Sequence, residues 1–240
     1  MHWRWVQILA LVAVMLPGCA GLVSWNPDSY VVRQGDTLYG IAWQHSLDPQ
    51  SLAAWNQLGS GNLIFPGQQI RLTAPEGWQP RSASASSKSP VSGNSSNTSA
   101  TRSGRRQGTP PAASPAAPGN WVWPADGRLR SRFGEGALGG KGIDIGGRAG
   151  QAVVAASKGQ VVYSGSGLIG YGQLIIIKHN DAYLSAYGYN SELFVKEGDR
   201  VAEGQKIASM GEGPGKVPVV HFEIRFQGKP VDPLRYLPPK

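Results

Sequence analysis

A long stretch with almost no large apolar side chains divides this 240-residue sequence and constrains its fold more than any other feature. From Gln79 to Pro118 the chain holds mainly Ser, Ala, Pro, Gly, Thr and Asn, and Val91 is its one large apolar residue. Such a stretch cannot bury enough apolar surface to offset the conformational entropy lost on folding. The sequence therefore predicts two folded units, 29–73 and 121–240, joined by a disordered linker over 74–120.

The sequence is basic, and the linker shares this character. The formal net charge is +8, and all charged residues between 79 and 118 are cations, namely Arg81, Lys88, Arg102, Arg105 and Arg106. This charge is compatible with nucleic acid, anionic lipid or an anionic cell-wall polymer as a partner. Scattered cations also keep a linker soluble, so the linker charges alone do not define a site.

The N-terminus has the pattern of an export signal. Arg4 precedes the apolar run Val6 to Leu16, which is too short to span a bilayer and indicates a secretory signal peptide over 1–18. The run ends in Leu16-Pro17-Gly18-Cys19, which resembles the lipobox of bacterial lipoproteins. The resemblance implies a lipid-modified Cys19 with 19–28 as a tether.

The residue after this cysteine is Ala20. In this respect the chain resembles lipoproteins of the Gram-negative outer membrane that face the periplasm. The expected membrane partner is therefore outer-membrane lipid, held through acylated Cys19. Export also argues against nucleic acid as a partner, and no nucleic acid is expected.

Residues 29–73 have the pattern of a small unit with two strands and two helices. Tyr30-Val31-Val32 and Gln69-Ile70-Arg71-Leu72 are predicted strands. Asp36 or Thr37 can cap a first helix, and Ser46 or Asp48 can start a second helix. The predicted order is βααβ, an α+β module.

This order resembles the LysM module, and the match extends from Tyr30-Val31-Val32 to Phe65-Pro66-Gly67-Gln68-Gln69-Ile70. The resemblance implies binding to the N-acetylglucosamine-containing glycan strands of peptidoglycan in a shallow groove between two loops. The expected contacts are Gly35, Asp36, Thr37, Leu38, Asn62, Leu63, Ile64 and Phe65. Leu38 can also fill the core of the module, and loop residues are the better candidates for contact.

Residues 121–240 have the pattern of an all-β unit. Short runs of β-branched and aromatic residues alternate with Gly and Asn turns, and no long amphipathic helix separates them. An antiparallel sandwich or half-barrel follows. The predicted strands are Val153 to Ala155, Gly159 to Tyr163, Gln173 to Lys178, Tyr183 to Tyr187, Lys206 to Met210 and Val219 to Phe226.

The last predicted strand carries the candidate site. Alternate side chains of a strand share a face, so Val219, His221 and Glu223 point one way while Phe222 and Ile224 point the other. Together with the upstream Lys141-Gly142-Ile143-Asp144, these residues resemble the LytM-type (M23) zinc endopeptidases of peptidoglycan, over roughly 121 to 237.

The resemblance implies a metal site that has lost most of its ligands. Active members carry His-x-x-x-Asp on one loop, His-x-His on a late strand, and a further His. Asp144 and His221 match two of these positions, while Gly140, Val219 and Tyr189 stand where histidines are expected. A catalytic zinc takes three protein ligands. The prediction is no metal, no cofactor and no catalytic residue, with Asp144 and His221 as a hydrogen-bonded pair or a weak adventitious metal site; the other histidine, His179, is interpreted as structural.

A lipobox, one LysM module, a basic linker and such a LytM domain together resemble the NlpD subgroup of envelope proteins. The resemblance implies a non-catalytic activator of periplasmic N-acetylmuramoyl-L-alanine amidases, which split septal peptidoglycan between daughter cells. The amidase would dock in the groove where the metal site was, at Gly140, Lys141, Asp144, Tyr171, Tyr189, Val219 and His221. Two rivals stay open: a zinc endopeptidase with an atypical ligand set, and a structural tether between the outer membrane and the cell wall.

Overall fold

The structure is a computed structural model that describes residues 28–59, 61–79 and 117–240. The predictions made for the signal peptide 1–18, for Cys19 and for the linker between 80 and 116 lie outside these residues. Among the helices that are described, none is both long and apolar enough to cross a membrane.

The first unit is the predicted βααβ module. Its strands β1 (Ser29–Val31) and β2 (Gln69–Arg71) pair antiparallel. Its helices are α1 (Leu38–Gln44) and α2 (Pro49–Trp55). A small apolar core joins them, and its fully buried members are Leu38, Ile41, Ala42, Leu52 and Ile70.

Both helices begin at polar caps that the sequence predicted as pairs of alternatives. The Thr37 hydroxyl accepts the Gly40 amide at 3.0 Å, and the Asp48 carboxylate accepts the Ser51 amide at 2.8 Å. Each cap satisfies an amide that the first helical turn leaves without a partner. The chain continues past residue 73, and Trp78 packs edge-on against Trp55 with ring centroids 5.6 Å apart.

The second unit is an antiparallel sheet, as predicted. The strands are β3 (Arg128–Ser131), β4 (Ile143–Gly146), β5 (Ala152–Val154), β6 (Gly159–Gly165), β7 (Gln173–Lys178), β8 (Tyr183–Leu193), β9 (Arg200–Val201), β10 (Lys206–Met210), β11 (Val219–Phe226) and β12 (Lys229–Val231). Their spatial order is β3-β4-β11-β8-β7-β6-β9, with β10 paired to β5 and β8, and β12 paired to β11. Two short 3-10 turns, Pro214–Lys216 and Pro233–Arg235, flank the late strands.

The predicted bounds of β7, β10 and β11 are confirmed, whereas β8 continues to Leu193 instead of ending at Tyr187. At Tyr189 the backbone adopts a φ of 61°, and there β8 leaves β11 and joins β10. This change of partner extends the strand. The sequence also missed β3, β4, β9 and β12, which are short.

The two faces of this sheet pack differently. One face covers the main core, into which Phe222 and Ile224 point as the alternation predicted. The other face carries a second cluster that includes Tyr163, Leu174 and Ile176, and also Trp43 from helix α1 of the first module. The LysM-type module therefore packs on the same sheet face toward which His221 points.

Candidate functional site

The candidate site lies where β4 and β11 run side by side. Asp144 on β4 is in register with His221 on β11. Nδ1 of His221 lies 2.7 Å from Oδ1 of Asp144. The Ser131 hydroxyl donates to Oδ2 of the same carboxylate at 2.6 Å. The structure therefore contains the hydrogen-bonded pair that was one of the two predicted alternatives.

The other ring nitrogen of His221 faces Glu223. Nε2 of His221 lies 3.2 Å from Oε1 of Glu223, and the Tyr171 hydroxyl donates to the same oxygen at 2.7 Å. Nε of Arg225 donates to Oε2 of Glu223 at 3.0 Å. Glu223 and Arg225 are both 0% exposed, and charges at such depth persist only when they are paired. The site is thus one buried network, not an isolated pair.

The network shifts the pKa values of its members. Burial lowers the pKa of His221, but hydrogen bonds and charge interactions with Asp144 and Glu223 outweigh it, so the pKa is raised. Burial raises the pKa of Glu223, but His221 and Arg225 outweigh it, so that pKa is lowered. The pKa of Asp144 is lowered for similar reasons, against its own burial. The network therefore favours an imidazolium between two carboxylates.

These residues do not fit a catalytic zinc. Zinc binds neutral imidazole, whereas both ring nitrogens of His221 are engaged by carboxylates that favour its protonated form. Glu223 is itself neutralised by Arg225. Within residues 28–59, 61–79 and 117–240, no three His, Cys, Asp or Glu side chains are grouped so as to hold a metal ion.

The backbone is tightly packed at Gly140, where the resemblance implies a histidine. Gly140 has a φ of 69°, and a Cβ on it would lie 2.5 Å from the carbonyl carbon of Gly134. At Gly142 a Cβ would lie 2.3 Å from the Phe222 carbonyl oxygen. A side chain at residue 140 is therefore excluded both by the backbone conformation and by lack of space.

The predicted groove residues come together, but their side chains are buried. The rings of Tyr171 and Tyr189 each meet the His221 ring edge-on, with centroids 5.9 Å apart. Tyr171, Tyr189 and Val219 are 7%, 8% and 5% exposed, and Lys141 is partly exposed at the rim. Burial, followed by the charge of Glu223, raises the pKa of Tyr171. In this structure the side chains of Tyr171, Tyr189, Val219 and His221 therefore offer little surface to a partner.

Tyr189 occupies a strained position. Its φ of 61° costs a non-glycine residue about 1–2 kcal/mol. The backbone holds it there, because its amide donates to the Tyr171 carbonyl at 2.8 Å and its carbonyl accepts the Gly211 amide at 2.9 Å. In this conformation the Tyr189 ring contacts His221.

The predicted glycan-binding residues fall into two loops at one end of the LysM-type module. Val32 pairs with Gln68 and Gly67, which places the loop after β1 beside the loop before β2. Leu63 and Phe65 are 67% and 59% exposed. Gly35 is also exposed, and Asn62 and Ile64 are partly exposed.

The remaining predicted glycan contacts, Asp36, Thr37 and Leu38, stabilise the module itself. The Asp36 carboxylate accepts from the Tyr30 hydroxyl and the Arg33 amide, and the Thr37 hydroxyl caps α1. Leu38 is 2% exposed and belongs to the core of the module. Of these eight residues, Leu63 and Phe65 offer the most side-chain surface to a ligand.

Sequence reasoning left four residues of the network out of the candidate site, namely Ser131, Glu223, Arg225 and Trp43. The signal for Arg225 was present, since 221, 223 and 225 alternate along one strand face and an arginine two residues from a buried glutamate is its natural partner. No sequence signal places Trp43 beside Arg225, because the two lie 182 residues apart and in different units.

His179 lies outside the network and is structural, as interpreted. Nδ1 faces the Lys158 carbonyl at 2.8 Å, and Nε2 faces the Ser185 hydroxyl at 2.8 Å. A carbonyl only accepts, so Nδ1 carries the proton and Nε2 accepts. Burial, opposed only weakly by the Lys158 hydrogen bond, lowers the pKa of His179 to about 4.

The fold defines the class: a LysM-type module joined to an M23-type sheet. Comparison with known families agrees, because the Peptidase family M23 matches residues 139–233 and the LysM domain matches residues 30–73.

Individual relatives make the assignment more specific. "Lipoprotein NlpD/LppB homolog" of Pseudomonas aeruginosa is 43% identical over 243 residues, which cover 92% of this chain and 81% of that protein. "Murein hydrolase activator NlpD" of Salmonella dublin is 38% identical, over 88% of this chain and 68% of that protein. "Outer membrane antigenic lipoprotein B" of Histophilus somni is 37% identical, over 87% and 66%. The chain belongs to the NlpD/LppB family of lipoproteins.

Proposed function

We propose that this chain is a non-catalytic activator of periplasmic N-acetylmuramoyl-L-alanine amidases. A peptidoglycan-related role follows from the family and from its two domains. The finer proposal is that the LysM module binds glycan strands while the M23-type groove engages an amidase. The activity would serve septal peptidoglycan splitting and daughter-cell separation.

One observation carries the proposal: both nitrogens of the His221 ring are engaged by carboxylates. These contacts raise the pKa of His221 and favour its protonated ring, which does not bind a metal, and this supports a binding role for the site over peptide cleavage. The name of the Salmonella relative, a murein hydrolase activator, supports the same interpretation. The proposal includes anchoring through acylated Cys19 in the outer membrane, facing the periplasm, since relatives are named lipoproteins.

Activation in this proposal is a shift between two amidase states. The groove residues Lys141, Tyr171, Tyr189 and His221 would contact a form of the amidase whose zinc site is open. Only a difference in affinity between open and closed amidase can shift that equilibrium. The closed groove of this chain adds a second equilibrium, because Tyr171 and Tyr189 must first separate from His221.

The test is release of dye from labelled cell wall by a purified amidase, with and without this chain. The chain alone should release nothing and should contain no stoichiometric zinc, while amidase with the chain should release more dye than amidase alone. Release by the chain alone, together with bound zinc, would support an endopeptidase instead. No stimulation of any amidase, with wall binding retained, would support a structural tether.

A matched pair of variants tests the position of the contact. Lys141→Glu places a negative charge at the partly exposed rim of the groove, and Lys196→Glu makes the same change in the exposed loop after β8. The rim variant should lower stimulation by about tenfold, within the range for an interfacial charge reversal, and the control should not. Equal stimulation by both variants would contradict contact at this rim.

A further inference from the structure

Helix α1 contributes its largest side chain to the other domain. Trp43 is 2% exposed, yet it does not belong to the core of the LysM module. It packs instead with Tyr171, Leu174, Ile176 and other side chains on the sheet face opposite the main core, which we call the outer face. Because Trp43 does not fill the core of its own module, its burial depends on the docking of the two domains.

Trp43 meets the buried network at Arg225. The guanidinium carbon of Arg225 lies 3.5 Å from the centroid of the Trp43 ring, and Nη1 donates to the Trp43 carbonyl at 2.7 Å. Both are strong contacts for a buried arginine. Since Arg225 also holds Glu223, and Glu223 contacts both His221 and Tyr171, one unbroken series of contacts joins the LysM module to the groove.

Three further contacts surround this junction. Nε2 of Gln50 donates to the Asp181 carbonyl at 3.0 Å, and Nζ of Lys229 donates to the Ser46 carbonyl at 3.0 Å. The turn between β11 and β12 approaches so closely that a Cβ on Gly228 would lie 2.3 Å from the Leu47 backbone. The docking is therefore specific in its geometry and involves main-chain atoms on both sides.

The N-terminal end of α1 connects the same interface to the predicted glycan-binding loop. A Cβ on Gly40 would lie 3.4 Å from the Tyr163 ring and 3.3 Å from the Thr37 hydroxyl. The loop Gly35–Leu38 leads directly into this turn. A glycan strand that binds this loop would therefore contact a segment that also packs on the M23-type sheet.

The predicted groove and the docked LysM module both contact the same face of strand β11. His221, Glu223 and Arg225 alternate along β11, and four residues of strand span about 13 Å. We propose that the LysM module and the amidase compete for this face: the docked module holds the groove closed through Arg225 and Glu223, and glycan binding by the module releases it. This inference rests on the proposed function and adds its regulation.

The first test measures the coupling without any amidase. Trp43→Ala removes the ring from the interface but leaves the core of the LysM module intact. Gln44→Ala is the matched control, because Gln44 is the exposed neighbour on the same helix. Hydrogen exchange of the amides at 170–172 and 187–190 should be faster by about fivefold or more in the Trp43 variant only, the lower end of known coupling factors. Equal exchange in both variants would overturn the inference.

The second test adds a purified amidase and a labelled N-acetylmuramoyl-peptide in place of cell wall, so that no glycan strand is present to bind the LysM module. The Trp43 variant should stimulate the amidase about fivefold more than the Gln44 variant does. A chain with Cys19→Ser, Gln50→Cys and Asp181→Cys, joined by a short reducible thiol crosslinker, should stimulate only after reduction. Equal stimulation before and after reduction would overturn competition.

The two tests separate this inference from the function on which it rests. Faster exchange in the Trp43 variant, with no stimulation of any amidase by any variant, would uphold the coupling of module and groove and overturn the proposed function. Stimulation by the wild-type chain, with no difference between the Trp43 and Gln44 variants, would uphold the function and overturn the inference.

Discussion

The two faces of β11 perform different tasks with neighbouring residues. On the inner face, Phe222 and Ile224 are surrounded by hydrocarbon and contribute through buried apolar area. On the outer face, His221, Glu223 and Arg225 are as deeply buried, but each is held by charge and hydrogen bonds. Equal burial therefore has different consequences. On the inner face, removal of a side chain should cost stability in proportion to the apolar area lost. On the outer face, removal of one charged side chain leaves its neighbours without their hydrogen-bond and charge partners.

The largest expected loss of stability comes from removing Glu223, the central residue of the outer face. Glu223→Ala removes the partner of both His221 and Arg225 and leaves an uncompensated buried charge, so the free energy of unfolding should fall by about 3–5 kcal/mol. Urea unfolding measures this. Glu192→Ala, an exposed position on β8, is the control and should change stability by less than about 0.5 kcal/mol.

A double variant sharpens the same comparison. Glu223→Met with Arg225→Met removes both charges together and leaves two flexible apolar side chains in their place. Its stability should lie well above that of Glu223→Ala, because no buried charge is left without a partner. If the double variant were as unstable as the single variant, pairing would not be the reason for the difference between the faces.

The next largest effect on stability comes from His179 and His221, whose pKa values are shifted in opposite directions. The pKa of His179 is lowered to about 4 by burial. Against an unfolded value of about 6.5, its contribution is complete above pH 6.5 and is lost as the pH falls towards 4, by at most about 3 kcal/mol. Unfolding of wild type and His179→Gln across this range measures the contribution.

For His221 the sign is reversed, because its pKa is raised by Asp144 and Glu223 against its own burial. Its contribution should be fully present below pH 6.5 and should be lost as the pH rises through the folded pKa. The stability difference between wild type and His221→Gln should therefore shrink with rising pH. A difference that grew with rising pH would contradict an imidazolium held between two carboxylates.

The smallest of these effects concerns the loop that closes the site, where two adjacent glycines form a matched pair. Gly139 and Gly140 have φ of 70° and 69°, but a Cβ would meet no atom within 4 Å at Gly139 and the Gly134 backbone at 2.5 Å at Gly140. Gly139→Ala should cost about 1 kcal/mol from backbone strain alone, and Gly140→Ala about 2 kcal/mol or more. Equal losses of thermal stability would mean that the loop yields to a side chain at residue 140.

Sequence alone predicted the local features well. The βααβ order, the strands β7, β10 and β11, and the opposite orientation of His221 and Phe222 all depend on neighbouring residues and on the two-residue period of a strand. The pair Asp144 and His221 was predicted from a resemblance that covers the whole domain, and the structure joins them at 2.7 Å.

Sequence reasoning was less complete for short strands and for contacts between residues far apart in the sequence. It missed β3 and β4, which have four residues each and contain Arg, Ser, Asp and Gly in place of a continuous apolar run. It predicted groove side chains at Tyr171 and Tyr189, but both are buried, and no pattern in the sequence predicts the backbone φ of 61° at Tyr189.

The sequence by itself determined that this chain has two folded units and which residues line each strand face. Only the tertiary structure decided that Trp43 of one unit covers Arg225 of the other. The physical reason is that periodicity and turn chemistry act over a few residues, whereas the pairing of a buried charge depends on whichever distant group the completed fold places beside it.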